Sequence, residues 1–292
     1  MKSFKGFTPS FFKTFDDHKI WYAKNFQGQP NQPILVFNYG LVCTNQHWQY
    51  QINYLNKKDF PILIQDLRGH YTKENIPISS ITIHNFVQDL KQLLDLIKIK
   101  RTYMLGHSMG VNTTLEFTLQ YPKMVEKIIL ITGTILPVDS ILLRTNLFEN
   151  VTPLFDLFSK KSPYLLKTLW KPILNNYASK KLVAYLGFNQ ERTSKEFIDE
   201  YMQNISELPV ELVFQLLNEM SQHHLLPHLD LIQQKTLIIK GSKDRVIPPQ
   251  IQDLIHNEIK NSEIFEIEYG SHVPQVDFPK KINNRILSFL KS

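Results

Sequence analysis

The sequence predicts an α/β protein: a mostly parallel sheet of about eight strands, helices on both faces, and a helical cap inserted near residues 136–229. Three observations carry this expectation. Short apolar runs bounded by turn residues alternate with segments of helical period. One such run, Tyr103 to Leu105, ends in Gly106-His107-Ser108-Met109-Gly110, a G-x-S-x-G pattern that opens a helix. The alternation lapses after Gly133 and resumes at Thr236, which separates the cap from a core made of residues 1–135 and 230–292.

In chain order, Phe11–Phe15 and Ile20–Ala23 read as a hairpin around the turn Asp16–Lys19. Ile34–Phe37, Pro61–Gln65 and Lys127–Thr132 are continuous apolar runs, the pattern of strands covered on both faces. Trp48–Leu55 is a short helical pattern. Ile83–Ile97 places Phe86, Leu90, Leu93, Leu94 and Ile97 at helical spacing. The helix Val111–Gln120 stops before Tyr121, because the residue preceding Pro122 disfavours helical angles. In the cap, Leu212, Phe214, Leu216 and Leu217 keep helical spacing. Its charge is split: lysines 160, 161, 167, 171, 180 and 181 come first, and acids 196, 199, 200, 207, 211 and 219 follow. Two solvated helix faces that attract each other account for this. Thr236–Lys240 is the next buried strand, Pro249–Lys260 a helix with proline favourably at its start, Glu263–Glu268 a half-exposed edge strand by its alternation, and Pro279–Leu290 a final helix.

With 42% apolar and 21% charged residues in 292, the chain has the composition of a soluble globular protein with a sizeable core. The net charge of +6 comes without an arginine-rich run or aromatic–basic alternation, so no nucleic-acid partner is expected. Cys43 is the only cysteine, which rules out an intramolecular disulfide and fits a reducing compartment. No apolar run approaches the roughly 18 residues a bilayer span needs, and the first residues lack a signal-peptide pattern. A cytoplasmic location is expected. Phe4, Phe7, Phe11 and Phe12 read as exposed and would permit peripheral membrane contact.

A serine hydroxyl is a poor nucleophile at neutral pH and must be presented clear of its own backbone, within reach of a base. A strand-to-helix turn does this for Ser108, and the flanking glycines remove side chains that would collide. The Met109 N–H then lies at a helix N-terminus, where it can stabilise an oxyanion. The base needs a carboxylate to orient it. Asp244 directly follows the strand at 236–240 and His272 the strand at 263–268, both at carboxyl ends, where α/β sheets bind ligands. The chain order is Ser, Asp, His.

These features resemble the α/β-hydrolase-fold serine hydrolases of the capped, carboxylesterase- and lipase-like kind. The resemblance spans nearly the whole chain. Besides Gly106–Gly110 it rests on Asn38-Tyr39-Gly40-Leu41, similar to the family's His-Gly-x oxyanion loop, and on Asp66–His70, similar to its D-x-R-G-H-G turn. It rests further on Gly241–Asp244 with Pro248, and on Gly270–His272 with Pro279. The resemblance implies Ser108 as nucleophile, His272 as general base and acid, and Asp244 as the orienting carboxylate. The oxyanion hole would be the backbone N–H of Leu41 and Met109, with Val42 as the alternative to Leu41, and no metal or other cofactor is implied. Tyr39, His107 and Val273 are expected to line the substrate pocket. Asn38-Tyr39 departs from the usual histidine-containing pair, and Tyr71 stands where glycine often follows the R-G-H turn. Asp139 is a rival for the acid. His223, His224 and His228 read as a cap helix end rather than a metal site, Cys43 as a packing residue, and Arg68 and His70 as residues that hold a turn. The expected partner is a small-molecule carboxylic ester with an apolar acyl or alcohol group, suited to a cap rich in Leu, Phe and Tyr that also carries Trp170. A carbon–carbon bond hydrolase, a thioesterase, an aminopeptidase using Glu207 and Glu211, and a non-catalytic ligand-binding module are the alternatives.

Overall fold

Each apolar run becomes a strand, and pairing puts the most continuous runs in the middle of the sheet. A computed structural model describes residues 4–70, 76–137 and 163–292. Tyr71, Asp139, Lys160 and Lys161, singled out above, lie outside the described residues. The strands are β1 (Thr8–Lys13), β2 (Lys19–Lys24), β3 (Ile34–Asn38), β4 (Ile62–Gln65), β5 (Thr102–His107), β6 (Val125–Ile131), β7 (Lys235–Gly241) and β8 (Ser262–Ile267). They form one eight-stranded sheet in the order β1-β2-β4-β3-β5-β6-β7-β8. β2 runs antiparallel to β1 and β4; the pairs from β4 through β8 are parallel. β8 lies at the edge and is half-buried along most of its length, as its alternating sequence requires.

Successive residues of a strand face opposite sides of the sheet, and the core divides accordingly. Leu35, Phe37, Leu105, Ile129 and Ile239 belong to one apolar cluster, with Ile52 and Leu55 of α1 (Gln49–Asn56) and Ile282, Ile286 and Phe289 of the C-terminal helix. Ile34, Val36, Met104, Ile128 and Ile238 belong to the other. There they meet α2 (Ile83–Leu96), α3 (Met109–Gln120) and the helix Pro249–Glu258. Four helices lie between β6 and β7 among the described residues: α4 (Pro163–Asn175), α5 (Tyr177–Gly187), α6 (Lys195–Glu207) and α7 (Val210–Gln222). The basic and acidic halves of this segment are joined by Lys180–Asp199 at 3.1 Å and Lys167–Glu211 at 2.5 Å. After β7 come α8 (Pro249–Glu258), α9 (Pro274–Asp277) and α10 (Pro279–Lys291). The sequence pattern does not announce α9, which has only four residues.

Of the four phenylalanines expected at the surface, only Phe11 is there, at 51% exposure. The alternation of β1 turns Phe12 into the core, and Phe4 and Phe7 are half-buried against it. Among the described residues no helix is long and apolar enough to cross a membrane.

Arg68 does more than hold a turn. Its guanidinium is fully buried and donates to two carboxylates, Asp89 of α2 at 2.7 and 2.6 Å and Asp16 of the β1–β2 turn at 2.8 and 3.1 Å. Burial works against its charge, but the hydrogen bonds it donates to both carboxylates outweigh that and hold its pKa above the ordinary arginine value. Removing one partner of a buried ionic network strands the others, so Arg68→Ala is expected to lower the unfolding free energy by about 3–5 kcal/mol in urea titrations.

Two residues earlier, Asp66 is 2% exposed; Asn45 Nδ2 lies 3.5 Å from one oxygen, and the other has no hydrogen-bond partner among the described residues. Burial pushes this carboxyl up to about 7. The fold favours the protonated form, so the stabilisation is complete at pH values below the ordinary carboxylate range and is lost as the pH rises through about 7. Asp66→Asn is therefore expected to raise the melting temperature near pH 8 and to change it little near pH 4. The difference amounts to a few kcal/mol, at about 1.4 kcal/mol per pKa unit, and thermal melts at the two pH values check it.

Candidate active site

Ser108 sits between β5 and α3 with φ 54° and ψ −124°, outside the regions an L-residue ordinarily adopts. It occupies the N-cap position of α3 but makes no capping bond with its side chain. The hydroxyl instead lies 3.0 Å from Nε2 of His272. The close approach that permits this is steric. A Cβ on Gly110 would come within 2.1 Å of the Asn38 carbonyl oxygen, and one on Gly40 within 2.7 Å of Ser108 Cβ.

Asp244 and His272 lie in the loops after β7 and β8. Nδ1 of His272 is 2.9 Å from Asp244 Oδ2. A carboxylate can only accept, so Nδ1 carries the proton and Nε2 is left to accept the Ser108 O–H. The second Asp244 oxygen accepts the backbone N–H groups of Val246 at 2.8 Å and Ile247 at 3.0 Å, which fixes the carboxylate plane. Asp244 is 8% exposed. Serine, imidazole and carboxylate thus form one hydrogen-bonded chain able to take a proton from the serine.

Met109 opens α3, so its N–H has no partner within the helix. Gly40 places the Leu41 turn directly over Ser108, and the next residue, Val42, has φ 54°. Among the described residues, neither Leu41 N–H nor Met109 N–H takes part in the backbone bonds of the turns and loops.

The three expected pocket positions are placed differently. Tyr39 is 1% exposed; its hydroxyl accepts the Leu67 N–H at 2.8 Å and its ring packs edge-on against His70. It is committed to the core. His107 is fully buried and bonds through Nε2 to the His272 carbonyl at 2.9 Å. Val273 is 3% exposed and packs with Phe188, Phe197 and Val276. Of the three, His107 bonds to a residue of the Ser108–His272–Asp244 chain, while Tyr39 and Val273 pack in apolar clusters.

Cys43 is buried, and burial pushes its thiol up to about 12, which keeps it protonated and inert. His223 bonds to Glu116 at 2.5 Å and to Asn112 at 3.0 Å, fastening the end of α7 to α3. Among the described residues no three His, Cys, Asp or Glu side chains gather as metal ligands. The sequence reading missed Asp277. Its carboxylate accepts Ser271 N–H at 2.8 Å and Ser271 Oγ at 2.7 Å, together with Thr193 Oγ at 2.7 Å and Asn189 N–H at 3.2 Å. It ties the His272 loop to the segment between α5 and α6. A carboxylate five residues beyond the histidine was the available signal.

Fold and site geometry define a class, and the comparisons agree with it: residues 33–279 match the model of the alpha/beta hydrolase fold family, and the chain belongs to that family. It is 24% identical over 286 residues to an uncharacterized hydrolase, YugF, of Bacillus subtilis, covering 95% of this chain and 96% of that one. It is 23% identical over 252 residues to a 2-hydroxy-6-oxononadienedioate/2-hydroxy-6-oxononatrienedioate hydrolase of Escherichia coli, covering 82% of this chain and 79% of that one. Among solved structures, an esterase from Exiguobacterium antarcticum superposes with a TM-score of 0.74 at 20% identity, over 97% of this chain and 99% of that one. A membrane phospholipase A described as a bacterial virulence factor superposes at 0.75 and 18% identity, over 98% of this chain and 86% of that one.

The glycine contacts yield a test. Gly110→Ala must push α3 away from β3 and displace Ser108 from His272. A displacement near 1 Å is expected to lower kcat about 100-fold while the circular dichroism spectrum stays α/β.

Proposed function

We propose that this hydrolase cleaves carboxylic esters through an acyl-enzyme on Ser108. The observation that carries the reading is the hydrogen-bonded chain from Ser108 Oγ through His272 to Asp244, with spacings of 3.0 and 2.9 Å. In this reaction His272 Nε2 accepts the serine proton as Oγ attacks the carbonyl carbon. The N–H groups of Met109 and Leu41 hold the oxyanion, and His272 returns the proton to the departing alcohol. Water then repeats the sequence on the acyl-enzyme. Asp244 orients the imidazole and stabilises the imidazolium.

The apolar character of the substrate is argued from what stands beside His272. Val273 and Val276 form one cluster with Phe188 and Phe197, and Val183, Ile198 and Tyr201 pack against it. Apolar packing immediately beside the base favours an apolar acyl or alcohol group. The aminopeptidase alternative loses support, since Glu211 is paired with Lys167 and Glu207 lies exposed. A second reading, hydrolysis of a carbon–carbon bond in a diketone, is prompted by the Escherichia coli relative, a hydrolase of oxo-dioates.

Labelling with a fluorophosphonate and turnover of p-nitrophenyl esters of graded chain length test the proposal. Labelling by wild type but not by Ser108→Ala is expected, with ester turnover that Asp244→Asn reduces by about 10⁴-fold as the imidazole takes the wrong tautomer. Labelling without turnover of any ester, alongside cleavage of a vinylogous 1,5-diketone, would replace the ester reading with the carbon–carbon one.

A further inference from the structure

The proton path uses the imidazole of His272; the main-chain carbonyl of the same residue is gripped independently. It accepts from Nε2 of His107 at 2.9 Å and from Oγ of Thr132 at 2.8 Å. His107 is the last residue of β5, next to Ser108, and Thr132 immediately follows β6. Both are fully buried.

The sheet order explains why such a grip is needed. His272 follows β8 at the edge, yet it must meet Ser108 at the end of β5, three strands away. At about 4.8 Å per strand the loop reaches roughly 14 Å back across the strand ends. Near its start it is fastened to the loop after β7 by Lys243 N–H donating to the Gly270 carbonyl at 2.8 Å. Its far end, where the histidine sits, meets β6 and β5 through Thr132 and His107.

Both residues are shaped for this contact. Thr132 holds φ 46°, a conformation a β-branched residue rarely adopts unless its surroundings enforce it. Its own N–H donates to the Ile239 carbonyl at 3.1 Å. The His107 ring is fixed by His47, stacked at 6.4 Å, and by Trp48, edge-on at 6.2 Å. Burial holds His107 well below the ordinary histidine range, so it is neutral, and with a carbonyl as partner its single proton is on Nε2.

We propose that His107 and Thr132 are positioning residues that clamp the His272 carbonyl and so set the distance from its imidazole to Ser108. The catalytic consequence rests on the reading of Ser108 as nucleophile; the clamp itself does not.

The test uses the full chain and paired variants. Thr132→Val removes the donor at nearly constant volume and Thr132→Ser keeps it; His107→Leu removes the donor and His107→Gln offers an N–H at similar reach. Fluorophosphonate labelling rates, kcat and KM for a short p-nitrophenyl ester, and deuterium exchange of the 268–278 segment are measured on each. Thr132→Val and His107→Leu are expected to lower kcat by about ten- to a hundredfold, with KM changed by less than about twofold, and to speed exchange in that segment. Thr132→Ser and His107→Gln are expected to recover most of both. Wild-type turnover in Thr132→Val, or equal impairment of its Ser counterpart, overturns the clamp. If wild type turns over no ester, exchange decides: faster exchange in the Val variant alone upholds the clamp while the ester reading falls, and unchanged exchange removes the clamp. Should the His107 variants fail to fold, the Thr132 pair is sufficient.

Discussion

The site depends on how closely α3 can approach the end of β3. Ser108 can hold φ 54° and face His272 only because the next turn of chain presses its backbone against Asn38, where a Cβ on Gly110 would sit 2.1 Å from the carbonyl oxygen. The same contact brings Gly40, and with it the Leu41 turn, over the serine. Side-chain truncation at two places thus allows a strained serine and the close approach of the Gly40 turn to it. The strain is held by the hydrophobic sheet below, whose central strands are buried along nearly their entire length.

A second constraint comes from topology. Parallel strands put every βα loop at one end of the sheet, so residues distant in sequence converge there without special arrangement. Convergence alone brings loops to the same side; it does not set a 3.0 Å distance. That takes local devices, and each arm of the site has one. Two backbone N–H groups fix Asp244, and Asp277 ties the His272 loop to the segment between α5 and α6; elsewhere in the fold Arg68 locks the β1–β2 turn to α2. Such buried polar arrangements specify geometry more than they add stability, since the desolvation of Arg68 and its carboxylates offsets much of their attraction.

How much was legible follows from this division. The strands were readable because a run such as Ile34–Phe37, buried on both faces, must be apolar throughout, and β8 because an edge strand must alternate. That Ser108, Asp244 and His272 would meet was readable because the candidate chemistry fixes residue type, and the sheet fixes where in the order they fall. What tertiary packing decides was not readable. Tyr39 beside Gly40 looks from sequence like a pocket residue, yet its hydroxyl satisfies Leu67 N–H inside the core. Phe12 looks like its neighbour Phe11, and only which face of β1 packs on the core separates them. Asp277 looks like any surface carboxylate until the loops it joins are seen together.

The histidines around the site show why burial of a titratable group can serve the proposed reaction. His47 is pushed down to about 4 and His107 well below its ordinary range, in both cases chiefly by burial, with the nearby His272 adding to the effect. Coulombic coupling is mutual, so a cation on either ring would oppose the imidazolium that His272 becomes as it takes the serine proton. Keeping both neutral leaves the Asp244 carboxylate as the charge that His272 meets directly. The neutral His107 then has one proton to place. Keeping it on Nε2, where it is donated to the His272 carbonyl, turns a ring that would compete electrostatically if charged into one that holds the base in position.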